Sequence, residues 1–207
     1  MPRPIIIAIC GKSATGKTSL SKRLAKFLIN NGYPVNLIVS DTTRPPRESE
    51  KYGVDYNFID DYHFKTREKN QEYLETAEFR GWNYGTNKFS IKNDKINIGV
   101  FNGKGIKSLL SYTAKYRIIV VYLSESFFER MRRSIKREKS LKPEFFRRAA
   151  ADCKDFLWFK RTLKHFRYWL ILEDESKLDV KAHKVYAYLN LIKIFYWDGQ
   201  KYIISDF

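Results

Sequence analysis

Acidic residues are scarce in this chain. It holds 23 Asp and Glu against 39 Lys and Arg, for a formal charge of +16. Cysteine is nearly missing as well: Cys10 and Cys153 are the only two, too few for a disulfide framework and wrongly placed for a metal motif. A reducing, cytoplasmic setting is the expectation that follows. No apolar run reaches the ~18 residues of a membrane span, which argues against a membrane partner. The apolar run near the start leads straight into a glycine loop, so it does not read as a signal peptide. Internal repeats and low-complexity linkers are also lacking. What remains is a chain of 207 residues, 43% hydrophobic. That composition is globular, and the length suggests a single domain, 1–207, with an ample core. The cationic excess has three readings: a nucleic-acid surface, a site for polyanionic nucleotides, or a composition rich in Lys, Ile, Asn, Tyr and Phe. Net charge alone does not separate them.

The most informative segment is Gly11 to Thr18, GKSATGKT, placed between the apolar run Pro4 to Cys10 and the helix-like stretch Ser19 to Ile29. G-x-x-x-x-G-K-[ST] between a strand and a helix is a P-loop. Gly11 and Gly16 free the backbone so that the N–H groups of Ser13, Ala14, Thr15 and their neighbours can turn inward on phosphate. The helix start adds partial positive charge. Lys17 is placed to reach the β- and γ-phosphates of ATP, and the Thr18 hydroxyl to bind Mg²⁺.

Downstream, Val35 to Val39, Asp55 to Ile59, Ile96 to Phe101, Tyr116 to Leu123 and Tyr168 to Leu172 read as strands. Glu72 to Phe79 fits strand or helix. Asp60 to Lys69 reads as a short helix, and another runs from Gly103 through Thr113. Ser124 and Ser126 are both candidate caps for a helix reaching Lys139. Pro143 opens a further helix with room to extend to His165, and Leu178 to Leu191 is the last. Asp198-Gly199 marks a hairpin turn in an aromatic tail over 192–207, suited to cover a sheet edge or to contact a second copy in a homodimer. Alternating strands and helices argue for an α/β protein with a mainly parallel sheet.

A second constellation follows the P-loop. Ser40 to Phe58 reads SDTTRPPRESEKYGVDYNF, followed by Tyr73-Leu-Glu-Thr-Ala-Glu78 and Gly81-Trp-Asn-Tyr-Gly-Thr86. Arg44 and Arg47 lie on a loop stiffened by Pro45 and Pro46, and guanidinium groups grip phosphate bidentately. Tyr56 and Tyr84 can add hydroxyl bonds. Glu75 can accept from both N1–H and the 2-amino group of guanine, donors that adenine lacks at those positions. In this order after a P-loop, the segments resemble the guanylate kinase family, across about Pro4 to Leu191. The resemblance implies a P-loop parallel sheet flanked by helices, a monophosphate-binding lobe over 40–86 and a helical lid over 131–150. It implies that Arg44, Arg47, Tyr56 and Tyr84 hold the acceptor phosphate while Ser40, Glu75 and Thr86 read the base. Arg133, Arg137 and Arg148 match the family's lid arginines, which stabilise charge on the moving phosphoryl group.

The chain departs from the family pattern at four positions. Val100 and Asn102 stand where the family has aspartates, Ala14 replaces a P-loop glycine and Lys12 a proline. Asn102 would meet the acceptor as an amide. Asp41, beside the P-loop at the end of the second strand, is the candidate to complete the Mg²⁺ shell. The expected activity is ATP-dependent phosphorylation of GMP or dGMP. The rivals are a kinase for another or modified deoxynucleotide, as in viral enzymes, and a non-catalytic module binding nucleotide or nucleic acid.

Overall fold

The computed structural model describes residues 3–48, 50–79, 81–140, 142–157, 159–173, 177–192, 194–197 and 202–204. The chain opens with β1 (Ile5–Gly11), α1 (Lys17–Asn30) and β2 (Val35–Leu37). A lobe follows: β3 (Asp41–Thr42), β4 (Asn57–Phe58), α2 (Asp61–Lys69), β5 (Tyr73–Phe79) and β6 (Trp82–Asn87). The main body resumes with β7 (Ile96–Phe101), α3 (Gly103–Leu109) and β8 (Arg117–Leu123). Next come α4 (Phe127–Glu138), α5 (Pro143–Phe156), α6 (Phe159–Leu163), β9 (Tyr168–Leu172) and α7 (Leu178–Leu191). The tail forms an antiparallel pair, β10 (Phe195–Trp197) with β11 (Tyr202–Ile204). The expected turn at Asp198-Gly199 lies outside the described residues.

Five strands form one parallel sheet in the order β2-β7-β1-β8-β9. A parallel sheet covered on both faces needs apolar side chains on both, which is why β1 and β8 are unbroken apolar runs. Alternation then sorts them. Ile5, Ile7 and Ile9 face α1 and α7, joined by Leu20, Leu24, Leu28 and Val185. Ile6, Ala8 and Cys10 face the opposite layer with Ile106, Phe156 and Phe159. Burial pushes the Cys10 thiol well above its ordinary range, so it serves as a small apolar group. The segments after β1, β2, β7 and β8 leave from the carboxyl ends of parallel strands, where open α/β sheets place their ligands.

The lobe is a second sheet, ordered β4-β3-β6-β5. Its centre is polar. Asp41 is fully buried and accepts from Arg67 Nη1 at 2.5 Å, Asn57 Nδ2 at 2.9 Å and the Tyr73 hydroxyl at 2.9 Å. Tyr73 in turn stacks on Phe64 with ring centroids 4.7 Å apart. Both Asp41 oxygens are therefore engaged inside the lobe, which corrects the expectation that this carboxylate serves a metal. A short polar residue after a strand reads equally as a ligand or as a buried tie, and the cation that decided it, Arg67, comes from a helix 26 residues away.

Two other expectations shift. Glu72 to Phe79 resolves as the strand β5, with an irregularity between Tyr73 and Glu75. The helix begun by Pro143 stops at Phe156 instead of running to His165. There Phe156 and Phe159 both pack on Tyr122 of β8, with centroids 5.6 and 4.8 Å away, and the chain bends to seat them. Of the two candidate caps of α4, Ser126 is the one used, accepting from Glu129 N at 3.1 Å.

Candidate functional site

The P-loop forms as its pattern requires. Gly16 takes φ 91°, a left-handed conformation natural to glycine. Ala14 takes φ 62° without that licence. A non-glycine residue there costs roughly 1–2 kcal/mol, a strain held within the glycine loop. Lys17 folds back on the loop, donating to Gly11 O at 2.8 Å and Lys12 O at 3.0 Å. Thr18 is exposed in the first turn of α1.

Burial lowers the Lys17 pKa from 10.5 to about 8, against the attraction of Asp152, with Arg130 and Arg148 adding to the lowering. The empty protein therefore carries a cost for charged Lys17 below pH 8, and that cost fades as pH rises from about 8 to 10.5. A bound phosphate favours the charged form. Nucleotide binding between pH 8 and 10 is thus expected to take up protons and to weaken as pH rises. Calorimetry of ADP binding in buffers of different ionisation enthalpy checks this. Proton uptake no greater at pH 9 than at pH 7 would contradict the Lys17 assignment.

Helices α4 and α5 lie over the loop. Arg133 donates to Thr15 O at 3.0 Å and pairs with Glu129 at 2.7 Å and Glu125 at 3.2 Å. Arg137 and Arg148 line a small cavity shared with Ser13 and Ala14, and Arg148 pairs with Glu144 at 2.8 Å. All three arginines singled out from spacing thus gather at the P-loop. Four partners there were not legible beforehand: Arg130, Asp152, Glu125 and Lys181. Asp152 accepts from Ser13 N at 2.7 Å and from Arg130 Nη1 at 3.2 Å. Glu125 is buried between Arg133 and Lys181, itself 1% exposed. A charge-rich run offered no signal for which of its members would turn inward.

The lobe assembles the second cluster. Arg44 pairs bidentately with Glu50 at 2.9 and 2.8 Å. Its guanidinium lies 5.6 Å from the Tyr56 ring centroid, and Tyr56 meets Tyr84 edge to face at 5.9 Å. Arg47 donates its backbone N–H to Glu50 while its own side chain is 67% exposed. Arg44, Arg47, Tyr56 and Tyr84 are therefore close together, with Glu50 holding the first guanidinium in place.

Glu75 accepts from Thr86 Oγ1 at 2.8 Å, and Thr86 lies 3.3 Å from Ser40 Oγ. Burial raises the Glu75 pKa, opposed by the Thr86 hydrogen bonds. Asn102 caps α3, its Oδ1 accepting from Gly105 N at 2.7 Å. A Cβ on Gly105 would stand 3.2 Å from Glu75 Oε2 and 3.3 Å from Asn102 Oδ1. Glycine thus leaves room where the carboxylate and the amide converge. Asn102 keeps the capping function an aspartate would have while removing its charge. Val100 sits in β7 opposite Ile9, as an ordinary strand residue.

Among the described residues, no group of three His, Cys, Asp or Glu could hold a metal ion. The exposed Thr18 hydroxyl suits Mg²⁺ that arrives already bound to phosphate and keeps most of its water.

A parallel sheet with a glycine loop leaving its central strand, capped by a basic helical pair, defines a P-loop α/β protein. The guanylate kinase family model matches residues 1–189. Guanylate kinase of Thermotoga maritima is 36% identical over 133 residues, 63% of this chain and 62% of that protein. The Nitrosococcus oceani guanylate kinase is 40% identical over 86 residues, 42% of this chain and 40% of that protein. These matched stretches span about two to three fifths of the curated relatives' length. The crystal structure of guanylate kinase from Anaplasma phagocytophilum shares the fold, with a TM-score of 0.60 at 18% identity, over 93% of this chain and 88% of that chain. The chain belongs to the guanylate kinase family. No helix among its described residues is long and apolar enough to cross a membrane.

Proposed function

We propose that this protein transfers the terminal phosphoryl group of ATP to GMP or dGMP, giving ADP and the diphosphate. The observation that carries this reading is the half-buried Glu75, held by Thr86 in the same lobe as the cluster of Arg44, Arg47, Tyr56 and Tyr84. A carboxylate drawn partly out of water needs donors, and guanine supplies two in a row. The acceptor phosphate replaces Glu50 or shares Arg44 with it. The donor's phosphates lie in the P-loop beneath Lys17, Arg133, Arg137 and Arg148. Thr18 would hold Mg²⁺, which supplies charge neutralisation on the phosphates. The attacking oxygen belongs to a phosphate already ionised, so the residues position and neutralise instead of abstracting a proton. The segments 40–86 and 131–150 act as acceptor lobe and lid, excluding water from the transfer.

A panel of GMP, dGMP, AMP, dTMP and other monophosphates tests this reading. Turnover is expected to be confined to guanine nucleotides. Glu75→Gln is expected to raise the KM for GMP about a hundredfold with kcat much less affected, because the amide presents a donor to the donors of guanine. Absence of turnover on guanine nucleotides would reject the acceptor assignment. A kinase for another deoxynucleotide would show in the same panel. The +16 charge alone does not favour a nucleic-acid partner, since many of the basic groups near the P-loop are paired with acids.

A further inference from the structure

The corner of the P-loop at Ser13 is built to bind an anion, and it already contains one. Asp152, on the third turn of α5, brings its carboxylate to the loop from a residue 139 positions away. Oδ2 accepts the Ser13 N–H at 2.7 Å, and Oδ1 accepts from Ser13 Oγ at 3.2 Å. Arg130 Nη1 donates to the same Oδ2 at 3.2 Å and to Ser13 O at 3.3 Å. The Arg130 side chain is only 4% exposed, and its Nε is buried with no hydrogen-bond partner among the described residues. The Lys17 ammonium feels the Asp152 charge as well. A main-chain N–H, a hydroxyl and a buried guanidinium thus converge on two carboxylate oxygens, with an ammonium near enough to feel their charge. Such a donor set suits a phosphate oxygen equally well, since both anions accept charge-assisted hydrogen bonds at about 2.7–2.9 Å.

We propose that Asp152 is an internal competitor for the donor's phosphate and so a determinant of donor affinity. Its carboxylate fills the Ser13 corner when the loop is empty, and nucleotide binding exchanges it for a phosphate oxygen. Two anions cannot share this corner in a poorly screened setting without strong repulsion, so the exchange is obligatory. The carboxylate costs affinity for every phosphate ligand and stabilises the empty protein, whose Arg130 would otherwise be buried unpaired. It also ties α5, which carries Arg148, to the occupancy of the loop. Release of Asp152 frees the helix to reposition that arginine around the nucleotide. Sequence spacing does not reveal this, because Asp152 lies among small and polar residues, Ala149 to Lys154, with nothing to mark it as inward.

The inference rests on the reading that the P-loop takes the donor, and the experiment separates the two. Binding of ADP, inorganic pyrophosphate and adenosine is measured by calorimetry on the full chain, for the wild type, Asp152→Asn and Asp152→Ala. Melting of each protein without ligand is measured in parallel. Both variants are expected to bind ADP and pyrophosphate about tenfold more tightly, with adenosine unchanged, while the ligand-free proteins melt at lower temperature. The opposite signs are diagnostic. A carboxylate that merely braced Ser13, or that helped to hold a metal, would lower affinity when removed, and that result overturns the proposal. Unchanged affinity overturns it too, as does equal tightening for adenosine, which would report general loosening. If the wild type binds neither ADP nor pyrophosphate, the donor assignment itself falls and the inference with it. Asp152→Asn keeps the size and one acceptor, so at least one variant is expected to fold.

Discussion

Lys17→Ala is expected to reduce kcat for phosphoryl transfer by about a hundred- to a thousandfold. The loop holds the ammonium against its own carbonyls, 2.8 Å from Gly11 O and 3.0 Å from Lys12 O. Those contacts make an empty-state resting place, from which the charge can swing to the phosphates. In a water-poor site, removing a preorganised cation from developing negative charge costs about 3–4 kcal/mol of barrier, the equivalent of that rate factor. Gly11 and Lys12 lose a donor at the same time, a local cost that leaves the sheet and its helices in place. Far-ultraviolet circular dichroism is therefore expected to be unchanged, while steady-state turnover with ATP and GMP collapses. A variant retaining more than a tenth of the wild-type kcat would mean that Lys17 does not carry the transfer.

Asp41→Ala is expected to be the most destabilising single change in the lobe, at about 3 kcal/mol. Three donors meet this carboxylate, from Arg67, Asn57 and Tyr73. Its removal strands the Tyr73 hydroxyl and leaves the guanidinium without its partner. Arg67 is 35% exposed and regains some water, which keeps the cost at the lower end of the range for a broken buried pair. For a chain of this length the shift in melting temperature is roughly 6–12 °C. Asp41→Asn keeps the shape but not the charge, and a smaller loss is expected. The Mg²⁺ concentration for half-maximal turnover separates this tie from metal binding. It should be unchanged in Asp41→Asn, whereas a metal-shell residue would raise it several-fold.

The P-loop was legible because each of its demands is local. A strand, two glycines, a lysine and a hydroxyl must follow one another within eight residues, and the backbone does the binding. The strands β7, β9 and helix α7 were legible to the residue for a similar reason, since apolar continuity or helical spacing leaves one solution. The lobe residues Arg44, Arg47, Tyr56, Glu75 and Tyr84 were found through their resemblance to a family pattern. Taken singly, each also fits a solvated loop or an ordinary strand. What brings them together is the pairing of β3 with β4 and β6 and of β5 with β6.

Asp41 and Asp152 mark the boundary of what the sequence could say. Both are acids near the ends of elements, and one was assigned to metal while the other drew no notice. Their actual environments depend on which cation the fold delivers: Arg67 from α2 in one case, Arg130 from α4 in the other. The end of α5 at Phe156 is of the same kind, because helical spacing continues past it while Phe156 and Phe159 both pack on Tyr122.

By itself, then, the sequence determined the phosphate loop, the parallel sheet around it and the kinds of residue that gather at the carboxyl end of that sheet. Those follow from short-range backbone geometry and from periodic burial, both of which are written in consecutive residues. Only the tertiary structure decided which charges are paired, which carboxylate is sealed inside the lobe and which one rests in the phosphate loop. Electrostatic pairing depends on distances of a few ångströms between residues far apart in the chain, and their spacing in sequence carries no record of those distances.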